Sequence, residues 1–373
     1  MSKEFYHNQW LKSFLGLVSA GLWEKDVRLA SYGEIDFELL LQKAEEQSVV
    51  GLVAAGIEHV LDMEPAQPIM LQYRDRTLQL EQHNTAMNYF IGVLVEKMRE
   101  ADIFTVLVKG QGVAQCYERP LWRACGDVDF FLDDANYQKA KQFLTPLSSH
   151  VDEEDLLRHH LGMNIDPWVV ELHGTMDTDV SGQINRELAI VQKNIFERGG
   201  TRIWRNDAID VLVPDPNNDI FIIFTHFVNH FYVGGVGLRQ ICDWCRLLWT
   251  YRDQIETSLL HQRLNNMGLK EEWKAFAAFA VDYLGMPITS MPLYDASSKY
   301  HNKAHKICDL IIESGNFGHN KDESYRKIVG RYKSFFITFW RRLKEFVRLT
   351  TIFPSNAPRY FVHYVFTRWK TIF

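Results

Sequence analysis

"KGQGVAQCYERPLWRACGDVDFFL", Lys109 to Leu132, places two carboxylates, Asp127 and Asp129, one residue apart inside an apolar, β-prone run. Aspartate is depleted in strands, and two on one face repel each other unless a cation or solvent screens them. Residues i and i+2 of a strand project from the same face, so Asp127 and Asp129 point together while Val128 and Phe130 face a core. Gly126, directly before the pair, permits close approach of backbone or ligand. Such a pair suits the bridging of two divalent ions roughly 3.5–4 Å apart, the spacing of phosphoryl-transfer sites. The competing reading is a solvent-edge strand whose charge has no task.

Outward from this stretch the hydrophobic period changes twice. Before it, "IDFELLLQKAEEQSVVGLVAAGIEHVL" has helical spacing with Asp36 in a first turn, and Met87, Phe90, Ile91, Leu94, Val95 and Met98 form one apolar stripe of a long helix from Pro68 to Glu100. "FTVLVKG" is then a short strand, "QGVAQCY" a short helix, and "DDANYQKAKQFL" a helix capped by Asp133 or Asp134. "HHLGMNI" and "WVVELHG" flank Asp166-Pro167 and predict an antiparallel pair. Glu171, inside the second of these strands, is the third carboxylate that such a site needs, and His173 shares its face. After Pro216 the pattern returns to helices, which bracket the glycine loop "VGGVG" and run to about Leu284. The strand-to-helix turn "VKGQG" offers backbone amides to an anion, and Lys109 adds a point charge.

The ordered set Lys109-Gly110, Tyr117, Arg123, Gly126-Asp127-Val128-Asp129 and Val170-Glu171-Leu172-His173 resembles the uncharacterised nucleotidyltransferase family of the polymerase-β-like superfamily. His226, Arg239 and Asp243 of the downstream helices match it too, so that the resemblance covers roughly residues 30–285. It implies that Asp127 and Asp129 hold two Mg²⁺ (or Mn²⁺), and that Glu171 holds the ion nearest the incoming hydroxyl and helps to deprotonate it. Gly110 would meet the triphosphate of an NTP through its amide. The nucleotide-binding set expected is Lys109, Gly110, Gln111, Gly126, Arg123 and Arg239. The usual Gly-Ser or Gly-Gly is Gly110-Gln111 here, so the serine contact to phosphate is absent.

The fold class expected is α+β: a small mixed sheet flanked by helical regions, with boundaries at 1–100, 101–210, 211–320 and a tail, 321–373. The activity implied is transfer of an NMP group from an NTP to an unidentified hydroxyl or phosphate acceptor. A protein-modifying (AMPylating) enzyme of the same chemistry is one rival. A catalytically silent interaction protein docked to a membrane-bound assembly is the other.

Other features have blander readings. His226 and His230, four apart, lack an evident third ligand and are expected as helix-facing, satisfied histidines. The lone Cys242-x-x-Cys245 reads as packing, and Arg239 and Asp243 as an i,i+4 pair unless the arginine serves phosphate. Five scattered cysteines and no evident leader point to reduced thiols in a cytoplasm. No stretch reaches the roughly 18 uninterrupted apolar residues of a membrane span. From Tyr325 onward there are 11 Lys and Arg against one acid, Glu345, so this segment carries +10 and the remaining 324 residues −16 of the total −6. Its interleaved aromatics suit a basic face folded back on the acidic body. Peripheral contact at the inner membrane surface comes second, and nucleic acid, which the acidic body repels, last.

Overall fold

Residues 3–316 and 331–363 are described by a computed structural model. The β-prone runs Val106–Val108 (β1), Asp127–Phe131 (β2), His150–Val151 (β3), His160–Ile165 (β4) and Trp168–His173 (β5) form one sheet of order β1-β2-β5-β4-β3. Pairing is antiparallel except between β2 and β5. Before the sheet come α1 (Lys3–Trp23), α2 (Phe37–Glu46), α3 (Val50–Glu58) and the long α4 (Gln67–Glu100). Within it lie the short α5 (Gly110–Ala114) and α6 (Asp134–Leu144). After it follow α7 (Gly182–Glu197), α8 (Pro216–Val233), α9 (Leu238–Thr250), α10 (Thr257–Met267), α11 (Lys270–Leu284) and α12 (Ser298–Ser314). The α+β plan, a small mixed sheet between helical arms, is the one expected.

Local chemistry sets the element ends. Asp36 and Asp133 cap α2 and α6 by accepting from Leu39 N (2.9 Å) and Asn136 N (2.8 Å), each worth about 1 kcal/mol. Asp133, not Asp134, is the cap. Gly21 and Gly56 let α1 and α3 cross closely, since a Cβ on either would come within 1.9 or 2.1 Å of a backbone oxygen of the other helix.

The sheet divides two apolar cores. On one face Leu107, Val128, Phe130, Val170 and Leu172 pack against α6 and the predicted stripe of α4, where Met87, Ile91, Leu94, Val95 and Met98 are buried. On the other, Val106, Val108 and Phe131 join a core that includes residues of α1, α3 and α7 to α12. The helices on either side of the sheet thus share one interior. The strand alternation places Asp127, Asp129, Glu171 and His173 on this second face, beneath α8 and α9.

The short strand β3 and helix α12 were not anticipated, nor were two further features. A hairpin, Thr201–Asn206 (β6) with Ile209–Pro214 (β7), turns through Asp207, whose φ is +51°. Val211 and Val213 are buried while Ile203 is exposed, so the alternation is present but interrupted by charge. α7 is the other; Ser181 caps it and Ile184, Leu188, Val191 and Ile195 form its buried stripe.

The basic tail folds back in its described part. Leu349, Ile352, Phe353, Ala357 and Tyr360 are buried, Arg348 pairs with Glu313 at 2.6 Å, and Asn356 donates to Glu272. Residues 317–330 and 364–373, the latter being part of the segment whose second reading is contact with a membrane surface, lie outside the described residues. Among the described residues, no helix is long and apolar enough to cross a membrane.

Asp219, in the first turn of α8, is buried with its Oδ1 unpartnered and Arg202 at 3.5 Å from Oδ2. Burial pushes its carboxyl up to about 7, despite the pull of Arg202. Between about pH 4 and 7 the folded chain therefore holds a proton that the unfolded chain releases. The stability penalty is absent below that window and complete above it. Asp219→Asn should stabilise the chain by roughly 2–3 kcal/mol more at pH 8 than at pH 5 in urea titrations; a pH-independent difference would refute this account.

Candidate active site

A cavity of about 280 Å³ lies between the polar face of the sheet and helices α8 and α9. Lys109, Gly110, Asp127, Asp129 and Glu171 line the sheet side; Ile223, His226, His230, Arg239, Gln240 and Asp243 line the helix side, with Arg123 at the edge. Asp129 is at the centre of the sheet side. β2 pairs it with Glu171 of β5 and Val108 of β1. Its side chain is 3% exposed, and Oδ1 accepts from Lys109 Nζ at 2.9 Å and contacts His173 Nε2 at 2.7 Å. Burial raises the Asp129 carboxyl, but Lys109 and His173 outweigh it and hold the group below its usual range. Asp127 has no such partner: burial, then the charges of Asp129 and Glu171, push its carboxyl up.

Glu171 accepts from two imidazoles, His160 Nε2 at 3.2 Å and His173 Nε2 at 3.4 Å. Hydrogen bonds from His160 and then His173 hold it below the usual carboxylate range, against burial. His173 itself is pushed down by burial and Lys109, yet its bonds to Asp129 and Glu171 leave it raised. Three carboxylates on neighbouring strands of one buried face, one of them driven up by its neighbours, form a hard oxygen donor set. That chemistry fits divalent cations.

The other expected residues occupy varied positions. Lys109 adopts φ +57° and Gly110 +38°, so the predicted turn forms, but α5 is only five residues long, too short for a helix dipole of consequence. The Lys109 ammonium is engaged by Asp129 instead of standing free for phosphate. Gln111 points out of the cavity: its side chain is buried and donates to Asn84 Oδ1 at 2.7 Å. Gly126 is exposed at the start of β2, with open space around it and no place in the cavity lining.

Arg239 and Asp243 do not pair as an i,i+4 couple in the hydrogen bonds and ion pairs described. Arg123 binds Asp243 through two nitrogens, at 2.9 and 2.7 Å, and Tyr117 Oη donates to the same carboxylate at 2.7 Å. Arg239 Nη1 donates to Ala124 O, and Arg246 Nε to Cys116 O. Residues 239, 243 and 246 share one face of α9, and all three grip the segment that leads into β2. Sequence spacing suggested a local pair, but partners more than a hundred residues away compete successfully. Cys242 and Cys245 are buried, free thiols, consistent with packing.

His226 and His230 differ from expectation. They line the cavity with rings 4.5 Å apart, and burial, then Lys109, pushes His226 well down and His230 to about 4. Both are therefore neutral at pH 7. His160 was overlooked, although its position was legible: counting outward from the Asp166-Pro167 turn sets it opposite His173.

Removing the Asp243 carboxylate leaves the buried Arg123 guanidinium without its partner, which costs about 3–5 kcal/mol in comparable buried pairs. Asp243→Asn should show a loss of that order in denaturant unfolding. Arg123→Met combined with it should lose clearly less than the two single losses added together; strict additivity would mean that the pair is not coupled.

Searches of curated proteins and of solved structures return no match. The family described as "uncharacterised nucleotidyltransferase" matches residues 33–285, the span that contains the sheet, the cavity and both helices over it. With that match spanning more than half of its length, the chain belongs to the uncharacterised nucleotidyltransferase family.

Proposed function

We propose that the cavity carries out divalent-cation-dependent transfer of a nucleoside monophosphate from an NTP to a hydroxyl or phosphate oxygen of an acceptor. The acceptor oxygen forms a bond to the α-phosphorus, the bond from that phosphorus to the bridging oxygen breaks, and the electron pair leaves with pyrophosphate. One observation carries the reading: Asp127, Asp129 and Glu171 converge with Lys109, Gly110 and Arg239 on a single cavity in a member of this family.

Asp127, Asp129 and Glu171 are the residues that would hold the ions. Mg²⁺ or Mn²⁺, when bound, supplies neutralisation of phosphate charge and activation of the attacking oxygen. Lys109 and His173 keep Asp129 ionised, as a metal ligand must be. Glu171, also held ionised, would hold the ion nearest the acceptor oxygen, where the acceptor proton would be lost more readily to solvent. Arg239, oriented by Ala124 O, offers a cation from the helix side. His226 and His230, being neutral, add hydrogen-bonding capacity without charge. Catalysis by such a site is chiefly positioning and charge neutralisation.

Thermal unfolding with ATP, GTP, CTP or UTP, each with and without Mg²⁺ or Mn²⁺, tests this. An NTP at a hundred times its Kd should add about 2.7 kcal/mol of stability, only when the cation is present. Asp127→Asn should abolish that rise while leaving the metal-free chain at least as stable as the parent, because it removes a buried carboxylate that Asp129 and Glu171 repel. If no nucleotide raises the midpoint in any cation, the transfer reading is wrong.

A further inference from the structure

We infer that one end of this site is built for a first-row transition ion such as Zn²⁺ in preference to Mg²⁺, through His160, Glu171 and His173. The inference deepens the proposed function by naming the class of metal. It depends on that reading only for the reaction the ion would serve, since binding can be measured without nucleotide.

The geometry is specific. His160 Nε2, Glu171 Oε2 and His173 Nε2 all lie within 4.8 Å of one another. The Glu171 oxygen is 3.2 Å from one imidazole nitrogen and 3.4 Å from the other. Ligands at about 2.0–2.1 Å from a tetrahedral ion are separated by about 3.3 Å, so both edges already have the length that coordination requires. Little movement of the carboxylate is needed.

The scaffold explains why the three meet. His160 and His173 are directly opposed in the β4–β5 ladder, and Glu171 is two residues from His173 on the same face. All three ligands come from adjacent strands of one sheet, a rigid support compared with a loop. Asp129 Oδ1, at 2.7 Å from His173 Nε2, places a fourth donor atom, an oxygen, nearby and joins this end to Asp127. None of the three side chains is fully enclosed: His160 is 38% exposed and Glu171 29%, so an ion has a route in.

The donor chemistry then selects the ion. Mg²⁺ takes oxygen ligands, keeps several waters and favours octahedral geometry. Imidazole nitrogen suits zinc and its first-row neighbours, and two imidazoles with one carboxylate leave further positions open for water or substrate. The Asp127–Asp129 end offers carboxylate oxygens to the cavity and has the oxygen-rich character suited to Mg²⁺. The site thus has two ends of different hardness, and the His160–Glu171–His173 end meets the cavity through Glu171.

Equilibrium dialysis of the EDTA-stripped full chain against Zn²⁺, Mn²⁺ and Mg²⁺ separately, with metals counted by mass spectrometry, tests this. The parent chain and Asp127→Asn are expected to bind one Zn²⁺ per chain, at least tenfold tighter than Mg²⁺. His160→Ala is expected to weaken Zn²⁺ at least tenfold with an unchanged circular dichroism spectrum, and Co²⁺ should give visible bands in the parent that this variant lacks. Absence of stoichiometric Zn²⁺ binding by the folded parent, or equal affinity in His160→Ala, would overturn the assignment. Nucleotide-dependent stabilisation in Mg²⁺, measured on the same preparations, separates the outcomes. If it persists without Zn²⁺ binding, only the metal assignment fails; if it is absent while Zn²⁺ binds, only the transfer reading fails.

Discussion

The parallel register of β2 with β5 sets Asp129 directly beside Glu171, and much of the molecule can be understood as a response to that placement. Two carboxylates side by side on a buried face are unfavourable, and Asp127 two residues away makes a third. Lys109, reached through a left-handed backbone turn, and His173, from the same strand as Glu171, supply the compensating donors. They do so at Asp129 and Glu171, while at Asp127 burial and the two neighbouring carboxylates outweigh the pull of Lys109 and Arg239 and leave it raised. A sheet that needed only stability would place apolar residues here, as the opposite face does.

Holding the arrangement requires support from far along the chain. The segment that leads into β2 contains Tyr117, Arg123 and Ala124, and each is fixed by a residue on one face of α9. The same helix forms part of the cavity wall. A shift of α9 would therefore move the approach to β2 and the cavity together, which couples the shape of the site to the packing of the helical region. Buried ion pairs are poor sources of net stability but good determinants of unique geometry, and the Arg123–Asp243–Tyr117 cluster fits that use.

The parts of the fold that were legible from sequence are those decided locally. The apolar stripe of α4, a cap for α6 at Asp133 or its neighbour Asp134, and the shared face of Asp127 and Asp129 all follow from spacing within one element, whereas Asp36, read as a first-turn acid, caps α2 from outside it. Meeting of Glu171 with Asp129 needed one non-local inference, the adjacency of β5 and β2, and the family resemblance supplied it. What escaped notice was set by competition between distant partners. Asp243 had a neighbour of opposite charge four residues away, yet Arg123, 120 residues distant, holds it with two hydrogen bonds. Gln111 sits beside the glycine of the turn, yet Asn84 draws its side chain into the interior. His160 is a different case: the predicted antiparallel pair, counted outward from Asp166-Pro167, already sets it opposite His173, but only the folded ladder shows the two imidazoles meeting Glu171.

The same competition accounts for the electrostatic asymmetry of the cavity. Its sheet side collects three carboxylates and its helix side two histidines, which a sequence reading would count as cations in waiting. Burial and the nearby Lys109 ammonium oppose protonation of both. Lys109 is itself held by Asp129, so Arg239 is the cation on the helix side that faces the cavity among the described residues. Among the described residues, negative charge is thus concentrated on the sheet wall and positive charge on Lys109 and the α9 side. A ligand that bears both cations and phosphates would complete the charge balance from both sides, cations against the strands and phosphates toward α9. That complementarity depends on where the side chains are placed and not on their number, which is why the composition of a net-acidic chain gives no hint of it.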